Sequence, residues 1–174
     1  MNKKVSKAGK YMSLLLRHTP EKENLDMDRY GYVPVKQLIS RLDITMSDLE
    51  DIVDENDKQR FSFDKTHNYL KANQGHSIDV DLELASVKPP QKLYHGTATK
   101  FLTSIYDNGI VKGKRNFVHL SIDIETARQV GSRHGNPYIL VIDTEKMYED
   151  GIEFYLTKNG VWHTDFVPRE YIKN

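Results

Sequence analysis

The hydrophobic period of this 174-residue chain changes once, near residue 60, from the roughly 3.6 of a helix to the 2 of a strand. Before the change, Tyr11, Met12, Leu14, Leu15 and Leu16 form one apolar set with no breaker until Pro20, which predicts a helix over 6–18. Tyr30–Val35 reads as a turn and short strand, and Lys36–Leu42 as a second helix with Leu38 and Ile39 inward. Ser47-Asp48-Leu49-Glu50 has the spacing of a capping box and opens a third helix carrying Leu49, Ile52 and Val53. After the change, Arg60–Phe63 and Tyr69–Ala72 alternate as two strands around turn residues 64–68. Three helices followed by a hairpin is the order of a winged helix. That fold meets nucleic acid and protein partners alike, so by itself it decides no function.

Val87-Lys88-Pro89-Pro90-Gln91 is the natural linker, because paired prolines stop both helix and ladder. The expected organisation is therefore one lobe over 1–88 and a second over 89–174. The second half is strand-rich: strands over Leu93–Thr97, Phe117–Ser121 and Tyr138–Ile142, with helices over Phe101–Tyr106 and Thr126–His134. Asn108-Gly109 closes the first of these helices, and Gly135 and Pro137 end the second. Glu153–Leu156 and Val161–Thr164 flank Asn159-Gly160, a hairpin signal. The fold class is α+β.

Composition excludes several functions. With no cysteine, the chain has neither a disulfide framework nor thiolate chemistry. Twenty-five basic against 25 acidic side chains rule out a bulk polyanion binder. Residues 1–18 are nonetheless basic without an acid, and 48–57 hold Asp48, Glu50, Asp51, Asp54, Glu55 and Asp57. No apolar run is long enough to span a bilayer. Met1-Asn2-Lys3-Lys4 leads into no apolar stretch of the secretory kind, so a cytoplasmic location is expected. The seven histidines show no metal-ligand spacing, and no metal is expected.

The polar motifs each carry two readings. Arg17-His18 ends the first helix, either as a basic cap complementing the helix dipole or as a bidentate clamp for phosphate with an imidazole beside it. Arg60, in Asp57-Lys58-Gln59-Arg60-Phe61, stands at the helix-to-strand junction, and Gln74-Gly75-His76-Ser77 is a turn that a ligand can approach. In Tyr94-His95-Gly96-Thr97 the glycine peptides suit a planar carboxamide, while His95 and Thr97 reach for hydroxyls. Arg115 precedes Phe117-Val118-His119-Leu120-Ser121, where period 2 puts Phe117, His119 and Ser121 on one face. Val130-Gly131-Ser132-Arg133-His134-Gly135 ends a helix and lacks the strand context of a dinucleotide fingerprint.

In this order and at these spacings, these motifs, together with Asn159-Gly160-Val161-Trp162, resemble the RNA 2'-phosphotransferase family over residues 8–172. The resemblance implies a winged-helix-like RNA-binding lobe joined to an NAD-binding lobe of the ADP-ribosyltransferase fold. It implies NAD as a consumed co-substrate, 2'-phosphorylated RNA such as a tRNA splice junction as partner, no membrane and a monomer. By position it makes Arg17, His18, Arg60 and Arg115 the catalytic tetrad. His95, Gly96, Thr97, His119, Leu120, Ser121 and Arg133 become the NAD contacts, and Gln74, His76 and Ser77 the RNA and phosphate contacts. Two positions depart from the pattern: Lys71 where arginine is expected, and His163 where an apolar side chain is expected.

The reaction so implied transfers the RNA 2'-phosphate to ADP-ribose in two steps. Arginines clamp the phosphate, Arg115 from the NAD lobe, and His18 assists the leaving 2'-oxygen. A protein mono-ADP-ribosyltransferase is the first alternative. It is disfavoured because no glutamate stands near Val161 to activate an acceptor; Glu153, one strand earlier, reads as an exposed edge residue. A noncatalytic winged-helix RNA binder is the second, and it leaves His95, His119 and Ser121 unexplained.

Overall fold

The computed structural model describes residues 3–55 and 59–174. The chain is α+β and divides into two compact units, Met1–Glu83 and Leu84–Asn174. No helix among the described residues is long and apolar enough to cross a membrane.

In the first unit, α1 (Lys3–Arg17) contributes Met12, Leu15 and Leu16 to a core with no solvent exposure. β1 (Val33–Pro34) leads into α2 (Val35–Leu42), whose Leu38 joins that core, and α3 (Met46–Asp54) adds Leu49. β2 (Phe61–Phe63) and β3 (Tyr69–Ala72) pair antiparallel, with Phe61 opposite Ala72. β1 adds to the other edge of β3 through Val33 and Leu70, giving the sheet order β1-β3-β2.

The cap of α3 differs from the expected one. Thr45, not Ser47, sits at the N-cap with extended backbone, and its hydroxyl accepts from the Asp48 amide at 3.1 Å. The Asp48 carboxylate accepts in turn from the Thr45 amide at 2.9 Å. A short aspartate closes this capping box two residues earlier than the Ser47–Glu50 pair would, leaving Ser47 inside the helix.

The second unit is built on β4 (Lys92–Ala98), α4 (Leu102–Asn108), β5 (Ile110–Val111), β6 (Val118–Leu120), α5 (Ile124–Ser132) and β7 (Pro137–Asp143). It is completed by α6 (Thr144–Glu149), β8 (Tyr155–Leu156), β9 (Trp162–Thr164) and β10 (Phe166–Val167). β4 and β7 pair antiparallel over their whole length, from Lys92–Asp143 to Ala98–Pro137. β9 is the centre of a three-stranded sheet of order β6-β9-β8, and the Asn159-Gly160 turn joins β8 to β9 with Gly160 at φ +77°. Leu93, Leu120, Leu140, Ile142, Met147 and Phe154 form the core. The proline stretch lies against this unit: Pro89 is buried, the Val87 amide donates to the Phe154 carbonyl, and Thr144 Oγ1 donates to the Pro90 carbonyl.

Three elements, α6, β5 and β10, escaped the sequence pattern, and α5 starts earlier than expected. α5 begins two residues before Thr126, because Asp123 caps it by accepting from the Thr126 amide at 2.7 Å. α6 follows β7 without a loop, since Asp143 ends the strand and caps the helix at once. β5 and β10 are two-residue strands, too short to alternate.

The outer edge of β7 is covered by the final residues. The Asn174 amide donates to the Ile139 carbonyl and accepts from the Val141 amide, both at 2.9 Å, and the Lys173 amide donates to the Val141 carbonyl.

α5 lies on β4 at backbone distance. A Cβ on Gly96 would collide with the Ala127 carbonyl, and one on Gly131 would stand 2.5 Å from the Thr97 carbonyl oxygen. In both places the obstacle is main chain that no rotamer change can move. Gly96→Ala is therefore expected to cost on the order of 3 kcal/mol, at the upper end for overpacked sites. Urea unfolding monitored by circular dichroism measures this, with Gly113→Ala, where nothing lies within 4 Å but φ is +60°, as the comparison for backbone strain alone.

Candidate active site

In the first unit, α1 delivers Arg17 and His18 to the turn that follows β3. The Ser77 amide donates to the Arg17 carbonyl at 2.9 Å, and Ser77 Oγ lies 2.8 Å from His18 Nδ1. Gly75, at φ +88°, faces the Arg17 guanidinium closely enough that a Cβ there would sit 3.7 Å from Cζ. The guanidinium also stands 5.9 Å over the Phe61 ring. Arg60, immediately before Phe61, is tied to the same region: its carbonyl accepts from the Asn73 amide at 2.8 Å, next to Gln74. The backbone thus groups Arg17, His18, Arg60 and the turn 74–77. Asp57 and Lys58 lie outside the described residues.

His76 differs from its neighbours, being only 2% exposed, with its imidazole against Gly31. Ser77 is exposed and Gln74 half-buried, so these two are the members of the turn open to a ligand. Lys71 is also buried, its ammonium 4.5 Å over the Tyr32 ring. A lysine there makes a cation–π contact and lacks the two-pronged geometry of an arginine.

In the second unit, β4 meets the strand containing β6 at a Tyr94–Ser121 bridge, with reciprocal amide bonds of 2.9 and 2.8 Å. One residue further along β4 the His95 side chain takes over. Its Nδ1 lies 3.0 Å from the His119 carbonyl. A carbonyl only accepts, so Nδ1 carries the proton. Burial lowers the His95 pKa, outweighing that hydrogen bond, and nearby His134 acts in the same direction as burial. The neutral ring then presents Nε2 as an acceptor.

His119 has the opposite tautomer. Arg115 donates from its guanidinium to His119 Nδ1 at 3.0 Å. Because a guanidinium has no acceptor, Nδ1 must be unprotonated and Nε2 must hold the hydrogen. The two imidazoles therefore offer one acceptor and one donor. Gly96 and Thr97 continue β4 beneath α5, Thr97 6% exposed, while Leu120 is core and Ser121 half-buried at the bridge.

Arg115 and Arg133 are close enough to act on each other. Partial desolvation, and then the Arg133 charge, lower the Arg115 pKa. No carboxylate forms an ion pair with either arginine among the described residues. Two guanidinium groups near each other without a carboxylate make a site that an anion would stabilise.

His163 is a member of this site that the motif spacing did not supply. Its ring is stacked between Phe117, with centroids 5.1 Å apart, and His119, 4.5 Å apart. β-register explains the second contact, since His119 and His163 are directly opposed. The sequence signal was present: Phe117 and His119 share a strand face, and an unexpected histidine stands in the Asn-Gly hairpin strand. Val161, by contrast, is occupied at the turn, its carbonyl accepting from the Thr157 amide. Glu153 is exposed and accepts from the Tyr155 hydroxyl.

Paired histidines of opposite polarity beside two arginines without a carboxylate ion-pair partner make a cluster that favours an anion. The family model described as "RNA 2'-phosphotransferase, Tpt1 / KptA family" matches residues 3–166. The chain belongs to this family of enzymes. It is 50% identical over 173 residues to "Probable RNA 2'-phosphotransferase" of Fusobacterium nucleatum, covering 96% of this chain and 97% of that one. It is 48% identical over 171 residues to the protein of the same name from Trichormus variabilis, covering 95% and 94%. For that of Hahella chejuensis the identity is 45% over 177 residues, covering 99% and 95%.

Burial, and secondarily Arg115, lower the His163 pKa from 6.5 to about 4. A depressed histidine pKa means that the unfolded chain takes up the proton first as pH falls. Stability linked to neutral His163 is complete above pH 6.5 and is lost between 6.5 and about 4, by roughly 3 kcal/mol in total. His163→Phe is expected to lessen the acid-side decline. Urea midpoints from pH 7 to pH 4.5 should fall less steeply in the variant than in the wild type.

Proposed function

We propose that this chain removes an internal 2'-phosphate from RNA by NAD-dependent transfer, yielding 2'-hydroxyl RNA, nicotinamide and ADP-ribose 1'',2''-cyclic phosphate. In this reading residues 1–88 form a winged-helix-like RNA lobe and 89–174 an ADP-ribosyltransferase-like lobe. The observation that carries the NAD assignment is the paired His95 and His119 with opposite donor and acceptor faces, beside Arg115 and Arg133. Ribose hydroxyls both donate and accept, and the NAD pyrophosphate would meet Arg133, leaving Arg115 for the transferred phosphate.

His95, Gly96, Thr97, His119, Leu120, Ser121 and Arg133 would hold NAD, which supplies a ribose carbon with nicotinamide as its leaving group. The RNA phosphate needs orientation more than a base, because its second pKa is about 6 and it is already anionic near neutrality. Arg17 and Arg60 orient it, and Arg115 neutralises charge on its equatorial oxygens as the ribose 2''-hydroxyl displaces the RNA 2'-oxygen. His18, held at Ser77, donates to the phosphate and assists that departing oxygen. Gln74, His76 and Ser77 belong to the RNA side, with buried His76 supporting the turn from beneath.

His119 has a further role here. By accepting from Arg115 it holds the guanidinium in place, so Arg115 arrives at the phosphate already oriented. Arg115→Ala is expected to retain NAD affinity within severalfold. It should slow the second step on the order of 10²–10³-fold, the usual cost of a lost charge-stabilising donor. Incubating radiolabelled 2'-phospho-RNA with NAD and resolving the products by chromatography should show ADP-ribosylated RNA phosphate accumulating. Release of label as inorganic phosphate by the wild type without NAD would rule the mechanism out.

A further inference from the structure

His163 is buried to 1% exposure, and neither ring nitrogen has a hydrogen-bond partner among the described residues. A buried imidazole in that state contributes by shape alone. Its two faces are both taken, by Phe117 at an interplanar angle of 16° and by His119 at 15°. Phe117 is in turn backed by Tyr155, with ring centroids 5.6 Å apart. Phe117, His163 and His119 therefore form a stack, with Tyr155 tilted at 55° against its Phe117 end and His119 accepting from Arg115 at the other.

Each constraint on His119 fixes a different freedom. The β6–β9 register sets its Cα opposite that of His163. The Arg115 donor selects which ring edge points outward, because only Nδ1 can accept there while a turned ring would offer a carbon. Neither constraint sets the tilt of the ring plane, which the bulk of His163 packed against it does.

We infer that His163 is a positioning residue for the Arg115–His119 pair. Sandwiched between Phe117 and His119, it keeps the His119 ring in the plane from which Nδ1 accepts from Arg115. It acts through bulk and neutrality and not through its nitrogens. A neutral side chain of similar volume therefore serves, whereas a small one does not. The catalytic consequence rests on the function proposed above; the positioning itself does not.

Nitrogen-15 NMR of histidine-labelled full-length protein tests this with wild type, His163→Phe, His163→Leu and His163→Ala. Wild type, Phe and Leu variants are expected to show His119 with Nδ1 unprotonated and Nε2 protonated, and the Ala variant a tautomer average. With NAD and 2'-phospho-RNA, the second step of the Ala variant should run about tenfold slower than that of the Leu variant. Should His163→Ala fail to fold, His163→Val is the milder truncation, expected to shift the His119 signals in the same direction. An Ala or Val variant with the wild-type His119 pattern overturns the inference. So does loss of that pattern in both the Phe and Leu variants, which would assign the role to the nitrogens. If the wild type consumes no NAD, the proposed reaction fails while the NMR comparison still decides the positioning role.

Discussion

The contact of α5 with β4 is the constraint from which the second unit's chemistry follows. Two side-chain-free positions, Gly96 and Gly131, let the helix approach main chain to main chain. That approach brings the helix's C-terminal end near the mouth of β4. Burial lowers the pKa of Arg115 and of His95, and Arg133 and His134 respectively add to that lowering. A helix held a side chain's width further out would weaken both pairs. Packing at Gly96 and electrostatics at Arg115 are thus two ends of one arrangement.

The polarity of the two histidines is set by groups that have no choice of role. A carbonyl cannot donate and a guanidinium cannot accept, so His95 and His119 are held in opposite tautomers without any carboxylate. Neither bond brings negative charge beside Arg115 and Arg133, as orienting the rings with aspartate or glutamate would have done. The usual device of a carboxylate behind a histidine is absent from these two bonds for a physical reason.

Much of this was legible in the chain before any coordinates. Long amphipathic helices, the two hairpins and the Asn-Gly turn announce themselves through period and turn chemistry, and α1, β3 and β8–β9 lie close to where those signals put them. Short elements did not, because two residues of β5 or β10 cannot show alternation and α6 shares its first cap with the end of a strand. The capping box was misplaced by choosing Ser47 over Thr45, two residues that differ in backbone conformation and not in chemistry. Among candidate site residues, spacing put Phe117 and His119 on one face, but only β-register could reveal His163 opposite. The 2% exposure of His76, in a polar tetrapeptide, is a matter of tertiary packing that no local pattern encodes.

At the border of β7, the Asn174 carboxamide imitates a peptide group, one atom giving to Ile139 and another receiving from Val141. A primary amide donates from one atom and accepts at another in the planar geometry of a peptide, which glutamine shares but ionised aspartate does not. Slow hydrolytic ageing of this asparagine would replace the donor with an oxygen facing a carbonyl oxygen. The strand flank would then keep its two bonds through Val141 but leave the Ile139 carbonyl open to a donor from a second chain. Chemical durability of one amide thus bears on whether old protein stays dispersed.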